Sequence, residues 1–174
     1  IVTGLFNPPE WATFVRQSAQ MGFRPKVATV AKALLFPGGV AALGKSAEGM
    51  STEIWWTPRY PFASSLTQQS ARQLAEGYQN ATQRDWTQPI GVVHALFETG
   101  IAALRASGDP KNPEKVSEAL RTLKLQTVIG QLDFGNSGIK NVSKMRVVGG
   151  QWVIDDKGKL DIVVTHNGTA PEIP

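Results

Sequence analysis

Cysteine is absent from the 174 residues of the sequence. Its absence excludes disulfide bonds, thiolate metal sites and cysteine nucleophiles. Histidine is also scarce, and the only two histidines, His94 and His166, cannot build an all-histidine metal site by themselves. The longest apolar segment, residues 89–104, contains His94 and Glu98, so it is too short and too polar to span a bilayer. We therefore expect no metal site, no cofactor and no membrane-spanning helix in this chain.

Clustered charge of one sign is missing as well. There are 18 Lys and Arg residues against 14 Asp and Glu, a net charge of +4, but the basic residues are scattered along the chain. Nucleic-acid-binding proteins concentrate their basic residues in a patch or stripe, so we expect no nucleic-acid partner. With 41% hydrophobic and 18% charged residues, the composition is that of a folded globular domain.

The patterns that would indicate an enzyme are weak or missing. Residues 39–46 match the letters of a phosphate-binding loop, GxxxxGK[ST], but helix-forming residues occupy the would-be loop, which favours a short helix ended by Gly44. The nucleophile pattern GxSxG does not occur. His94 lies in an apolar helical segment, where a histidine is usually a packed residue, and Glu98 one turn later is its expected partner. We expect a binding protein and not an enzyme.

Strand and helix patterns alternate at the start of the chain. Residues 1–5 are typical of a short buried strand, and Asn7, Pro8 and Glu10 form the start signal of a helix. A second strand over residues 25–31 completes a βαβ unit, which predicts an α/β fold with a parallel sheet. Further strands are predicted over residues 50–57, 127–134, 144–154 and 160–165, and helices over residues 67–82, 89–107 and 112–123. The second of these helices is apolar on nearly all sides, so we expect it to be buried.

Aromatic residues follow three of the predicted strands, in the loops at residues 5–7, 36–38 and 55–57. In open α/β sheets, ligands bind at the carboxyl ends of the strands. Aromatic walls with a few polar groups are typical of small-molecule sites. The sequence therefore predicts a small-molecule site where these three loops meet.

Several segments together resemble a known family. These segments are GLFNPPEWATFVRQSAQMGFRPK (4–26), LLFPGGV (34–40), SAEGM (46–50), TQPIGVVHALFETGIAAL (87–104) and TVIGQLDF (127–134). In this order they resemble the C-terminal half of periplasmic ligand-binding proteins of the branched-chain amino-acid and amide ABC-transporter type. The resemblance covers nearly the whole chain.

The resemblance implies two doubly wound parallel-sheet lobes joined by a hinge, with a ligand clamped between them. Residues 1–52 would be part of the C-terminal lobe, and residues 53–57 would be a crossing strand. Residues 58–130 would be part of the N-terminal lobe, and residues 131–174 would form the hinge return and rejoin the C-terminal lobe. The chain would then be a fragment that covers parts of both lobes, in agreement with a buried strand that opens the sequence abruptly.

The function implied is that of the solute-binding component of an ABC importer, exported to the bacterial periplasm. Its partners would be a small-molecule ligand (an amino acid, a small organic acid or an aromatic carboxylate), a permease in the membrane and the missing N-terminal half of the same protein. The alternative is a ligand-sensing domain of a transcription regulator or receptor, because the same fold serves there. An export signal would favour transport, and a DNA-binding module would favour the sensor.

One departure from the family pattern bears on the ligand. Binders of branched-chain amino acids have Pro-Glu-Gly-Val in the loop after the second strand, and the acid pairs with the ligand's ammonium group. Here the loop is Pro37-Gly38-Gly39-Val40, and a buried ammonium group without a carboxylate would be poorly compensated. We therefore expect an aromatic or other organic carboxylate as the ligand. The candidate ligand-binding residues are Phe6, Asn7, Phe36, Pro37, Gly38, Trp56 and Ile90.

Two adjacent tryptophans, Trp55 and Trp56, fall on the implied crossing strand. Successive side chains of a strand point to opposite faces, so one of the two should pack within a lobe and the other should face the cleft. We predict that Trp56 faces the cleft, because it is nearer the crossing.

Overall fold

The computed structural model of the chain describes residues 1–174 as an α/β protein with one main sheet. The strands are β1 (Val2–Phe6), β2 (Ala28–Lys32), β3 (Ser51–Ile54), β4 (Lys124–Thr127), β5 (Gly130–Asp133), β6 (Val148–Ile154) and β7 (Leu160–His166). The helices are α1 (Pro8–Gln20), α2 (Pro37–Ala41), α3 (Ala71–Thr82), α4 (Gln88–Ala106) and α5 (Pro113–Arg121), with a 3-10 helix at Gly44–Ala47. None of these helices combines the length and the apolar character that crossing a membrane requires.

The main sheet has five strands in the order β1-β2-β3-β6-β7. The first three run parallel, and β6 and β7 are antiparallel additions. The predicted βαβ unit is confirmed, since β1 pairs with β2 from Val2–Ala28 to Phe6–Lys32. The connections from β1 to β2 and from β2 to β3 both step to the next strand on the same side. Because such crossovers are right-handed, α1 and α2 lie on the same face of the sheet.

The core of this sheet lies between β1–β3, β6 and the two crossover helices. Trp152 on β6 is 2% exposed, and its indole Nε1 donates a hydrogen bond to the Leu34 carbonyl at 3.1 Å. The side chain of Ile54 packs directly on Gly150, because a Cβ on residue 150 would lie 2.3 Å from Ile54 Cδ1. On the opposite face of the sheet, Leu5 is 73% exposed.

A second, mainly helical part consists of α3, α4, α5 and the hairpin β4–β5. The chain enters it through the segment after β3 and packs Trp56 directly against Gly91 of α4, with Trp86 edge-on at 6.2 Å between ring centroids. The backbone N–H of Trp55 donates to Gln88 Oε1 at 2.7 Å. These contacts fix the first turn of α4 against the segment that leaves the main sheet.

Glu98 holds the helical part together from within. Its side chain is fully buried, and Oε1 accepts hydrogen bonds from the Ser65 N–H at 2.5 Å and the Ser65 hydroxyl at 2.8 Å. Its Oε2 accepts from the Val128 N–H at 3.0 Å. Glu98 was expected to pair with His94, but His94 Nε2 instead lies 2.7 Å from Ser64 Oγ. One carboxylate thus joins α4, the loop before α3 and the turn of the hairpin.

Two predicted elements differ from the structure. The strand expected over residues 127–134 is the second half of a hairpin, because the chain turns at Val128 and Ile129. Gly130 has a φ of +106°, which favours glycine, and the Thr127 hydroxyl donates across the turn to the Gly130 carbonyl at 2.7 Å.

The helix expected to be buried, α4, exposes a row of apolar side chains that no element of residues 1–174 covers. These are Val93, Leu96, Phe97 and Leu104, which are 41–68% exposed.

Replacing Gly91 by alanine should destabilise the protein, because the new Cβ would lie 2.2 Å from Trp56 Cγ. Overpacking a core lowers the free energy of unfolding by about 1–3 kcal/mol. The control is Gly100→Ala in the same helix, where the Cβ meets nothing within 4 Å and stability should rise by about 0.5–1 kcal/mol. Denaturant unfolding followed by tryptophan fluorescence measures both, and equal stability of the two variants would contradict this packing.

Glu98→Gln should also destabilise the protein. The amide NH2 group cannot accept a hydrogen bond, so at least one of the three buried donors loses its partner, at about 1–3 kcal/mol of unfolding free energy. Glu118→Gln is the control, because that exposed carboxylate pairs only with Arg121 and should contribute less than about 1 kcal/mol. A loss no larger than the control's would show that Glu98 does not hold the three segments together.

Candidate functional site

The carboxyl ends of the parallel strands lie side by side, as the sequence predicted. A Cβ built on Gly39 would lie 3.5 Å from Pro8 Cβ, so the first turns of α1 and α2 adjoin. At the end of β2, the Lys32 N–H donates to Glu53 Oε1 of β3 at 3.2 Å. The three loops that follow β1, β2 and β3 therefore leave the same edge of one sheet.

Asn7 sits exposed at this edge as the N-cap of α1. Glu10 Oε2 accepts hydrogen bonds from the Asn7 N–H at 3.0 Å and from Asn7 Nδ2 at 3.1 Å. Both hydrogen bonds stabilise the ionised carboxylate and lower the pKa of Glu10, and the bond from the backbone N–H has the larger effect. The Asn7 side chain is thus oriented by its own helix start.

Phe6 is half-buried, and its ring turns towards α1. The ring centroid lies 5.3 Å from that of Trp11 and 6.2 Å from that of Phe14. The ring also lies back over its own strand, since a Cβ on Gly4 would approach Phe6 Cε2 to 2.7 Å. Phe6 therefore joins the aromatic packing of α1 at the border of the candidate site.

The loop after β2 brings Phe36, Pro37 and Gly38 to the same edge. Phe36 is the N-cap of α2, Pro37 occupies its first position, and both are half-buried. Gly38 is exposed, and a Cβ there would meet nothing within 4 Å. Because α2 and the 3-10 helix occupy residues 37–47, the glycine and lysine letters at 39–46 form no open phosphate-binding loop. First-turn N–H groups of a helix have no acceptor within the helix, so this loop offers backbone donors beside an aromatic ring.

The structure does not place Trp56 at an open surface, and the prediction that its side chain faces the cleft is wrong. Trp56 is fully buried, and its ring fills the slot that Gly91 leaves in α4. The reason is that β3 ends at Ile54, so the alternation of a strand does not continue through the two tryptophans. Trp55 is half-buried.

Ile90 lies in the first turn of α4 and is half-buried. The hydrogen bond between Trp55 N–H and Gln88 brings that turn to the crossing segment. Gln88, which is 1% exposed, also belongs to this junction, although its sequence context does not distinguish it. Gln88 and Trp55 are 33 residues apart in the chain, so no local sequence pattern reveals this contact.

Aromatic, amide and backbone groups meet at this edge of the sheet. No group of three or more His, Asp or Glu side chains is placed to hold a metal ion. The groups that a ligand could contact at this edge are the aromatic ring of Phe36, the amide of Asn7 and backbone N–H groups near Gly38. Such a set orients a small polar group against an apolar wall.

Comparisons with known proteins bear on the family and the fold. The sequence profile of a family described as periplasmic binding protein matches residues 1–159. A search of curated protein sequences finds no match.

Several solved structures share the fold. They include a leucine binding protein from Thermotoga maritima (18% identity, TM-score 0.70, 96% of this chain and 44% of that one). An ABC transporter substrate-binding protein from Sphaerobacter thermophilus superposes with a TM-score of 0.74 at 14% identity, over 94% of this chain and 43% of that one. A solute binding protein of an ABC transporter from R. palustris, in complex with benzoate, gives a TM-score of 0.63 at 14% identity, over 94% and 42% of the two chains. The chain thus spans less than half the length of the proteins it superposes on.

The Asn7–Glu10 contact should be visible in a carboxyl NMR titration. The midpoint for Glu10 should lie below the ordinary value of 4.5. Because the pKa is lower in the folded state, the stabilisation by Glu10 is present above the unfolded-state pKa and is lost as the pH falls through the folded-state pKa.

Asn7→Ala removes the side-chain donor and keeps the backbone N–H, so the Glu10 midpoint should rise and yet remain below 4.5. Asn112→Ala, at the N-cap of α5, is the control and should leave it unchanged. An identical midpoint in Asn7→Ala and the unmodified protein would contradict the contact.

Proposed function

Because the chain belongs to the periplasmic binding protein family, we propose that it is part of the solute-binding protein of an ABC importer. The whole protein would act in the periplasm, close two lobes around a small organic acid and present the closed form to a membrane permease. Hinge closure driven by a ligand that prefers the closed state suffices for this role, and no chemical step is required.

The proposed lobe division keeps the boundaries read from the sequence. Residues 1–52 and 131–174 would belong to the C-terminal lobe and its hinge return, residues 58–130 to the N-terminal lobe, and residues 53–57 to the crossing. Two features support this proposal. The chain leaves the main sheet after Ile54 and returns to it at Val148, and the residues between form the helical part; the boundary at 130/131 falls within the β4–β5 hairpin of that part.

The missing N-terminal half of the same protein is the proposed partner of two uncovered apolar surfaces. One is the exposed row on α4, and the other is the face of β1 where Ile1 is 91% and Leu5 73% exposed. Contiguous apolar surface of this kind is normally covered by other protein. This chain spans 44% of the leucine binding protein. A whole protein of that length would have enough additional residues to cover both surfaces.

For the ligand we propose an aromatic carboxylate, and the loop at Gly38 is the observation that carries this choice. Proteins of this fold include both a leucine binding protein and one in complex with benzoate, so the fold alone does not select the ligand. At Gly38 there is neither a carboxylate nor any side chain, and the space beside it is open. Residue 38 offers no carboxylate to pair with an ammonium group, whereas a carboxylate could accept from the backbone N–H groups at the start of α2.

Calorimetric titration of the full-length protein with benzoate and with leucine tests this proposal. Benzoate should bind at least about tenfold more tightly, because only leucine brings an ammonium group that must be compensated. Gly38→Glu should weaken benzoate binding about tenfold or more through like-charge repulsion.

The control for that variant is Gly77→Glu on α3, where a Cβ also meets nothing within 4 Å and where benzoate affinity should be unchanged. Tight leucine binding without benzoate binding would reject the ligand class and leave the transport role standing. Binding of neither compound, nor of any other small acid or amino acid, would reject the transport role itself.

A further inference from the structure

A separate cavity of about 430 Å³ opens between α1, the loop after it and the segment that contains the 3-10 helix. It adjoins Ala28, the first residue of β2, and Met50, which precedes β3. It therefore lies at the amino ends of the parallel strands, whereas the candidate site lies at their carboxyl ends. None of the candidate ligand-binding residues lines this cavity.

The cavity has an aromatic wall. The half-buried ring of Phe14 lines the cavity and is stacked on the ring of Trp11, which is only 1% exposed; the two centroids are 5.1 Å apart and the planes are inclined by 15°. Phe23, at the mouth, is 50% exposed, although it is a large apolar side chain. The indole Nε1 of Trp11 is buried and has no hydrogen-bond partner within the protein. This wall matches a flat ring or a short hydrocarbon chain.

The rim of the cavity is positively charged. Arg24, Lys26 and Lys45 line it together with a single carboxylate, Glu48, so the rim carries three positive charges and one negative charge. All five ion pairs of the structure involve other residues, so none of these four charges is neutralised by an ion pair. Unpaired cations beside an apolar recess attract a ligand that is apolar at one end and anionic at the other.

We propose that this cavity is a second binding site, for an amphiphilic anion: an aromatic ring or short hydrocarbon chain that carries one carboxylate or sulfonate group. The ring would lie against Phe14 and Phe23, and the anionic group would meet Arg24, Lys26 and Lys45 at the mouth. A volume of about 430 Å³ falls within the range of small-molecule sites. The proposal does not depend on the transport role, because it uses no residue of the candidate site.

The test uses 1-anilinonaphthalene-8-sulfonate as the probe, with fluorescence and calorimetric titration of the full-length protein. Ala19→Phe should reduce the affinity about tenfold or more, because Ala19 lines the cavity and the larger side chain fills it. Its control is Ala81→Phe, at an exposed position of α3, which should leave the affinity within about twofold.

Lys45→Glu tests the charge and changes only an exposed side chain, so it decides the question even if Ala19→Phe fails to fold. It should reduce the affinity about tenfold or more, whereas Lys157→Glu, in the exposed turn between β6 and β7, should not. Gly38→Glu should also leave probe binding unchanged, which separates this cavity from the candidate site.

Two results would overturn the proposal. Unchanged probe affinity in Lys45→Glu would show that the probe binds elsewhere, for example on the exposed apolar row of α4. Equal affinity for the uncharged parent compound 1-anilinonaphthalene would show that the rim does not select an anion.

Discussion

The packing of Trp56 against Gly91 is the constraint on which the relation between the two parts of the molecule depends. The indole lies where a Cβ of any other residue would stand, so the start of α4 can approach the crossing segment only because residue 91 is glycine. The hydrogen bond from Trp55 to Gln88 then fixes the rotation of the helix. Glu98 of α4 then holds the loop before α3 and the turn of the β4–β5 hairpin through three hydrogen bonds.

Other contacts between the two parts are weaker. Arg59, just after the crossing, pairs with Asp161 of β7 and donates to the Ile162 carbonyl at 2.8 Å. The paired side chains are 48% and 36% exposed, and exposed pairs contribute little to stability. Bending between the main sheet and the helical part would break these surface contacts and leave the three hydrogen bonds of Glu98 intact, but the packing of Trp56 on Gly91 would resist it.

The sequence was sufficient where local chemistry decides the structure. Asn7 and Pro8 start α1 as predicted, and the βαβ unit follows from strand and helix periods that each segment carries within itself. The sequence was insufficient where a residue far away in the chain determines the burial or the conformation of a segment. Trp56 is buried because of Gly91, the hairpin turns because of the conformation at Gly130, and α4 is exposed because no other segment of residues 1–174 covers it. The cavity behind α1 escaped prediction for the same reason, since its wall and its cations come from three separate segments.

The candidate site and the cavity share one helix. At its start, Asn7 and Pro8 border the carboxyl edge of the sheet, and near its end Ala19 lines the cavity. Between them, Trp11 stacks on Phe14 and contacts the ring of Phe6, so an aromatic row runs from one site towards the other. Trp11 is only 1% exposed, and close-packed interiors move as units. A ligand in the cavity can therefore influence the candidate site only by displacing α1 as a whole, and if the helix stays fixed on the sheet the two sites bind independently.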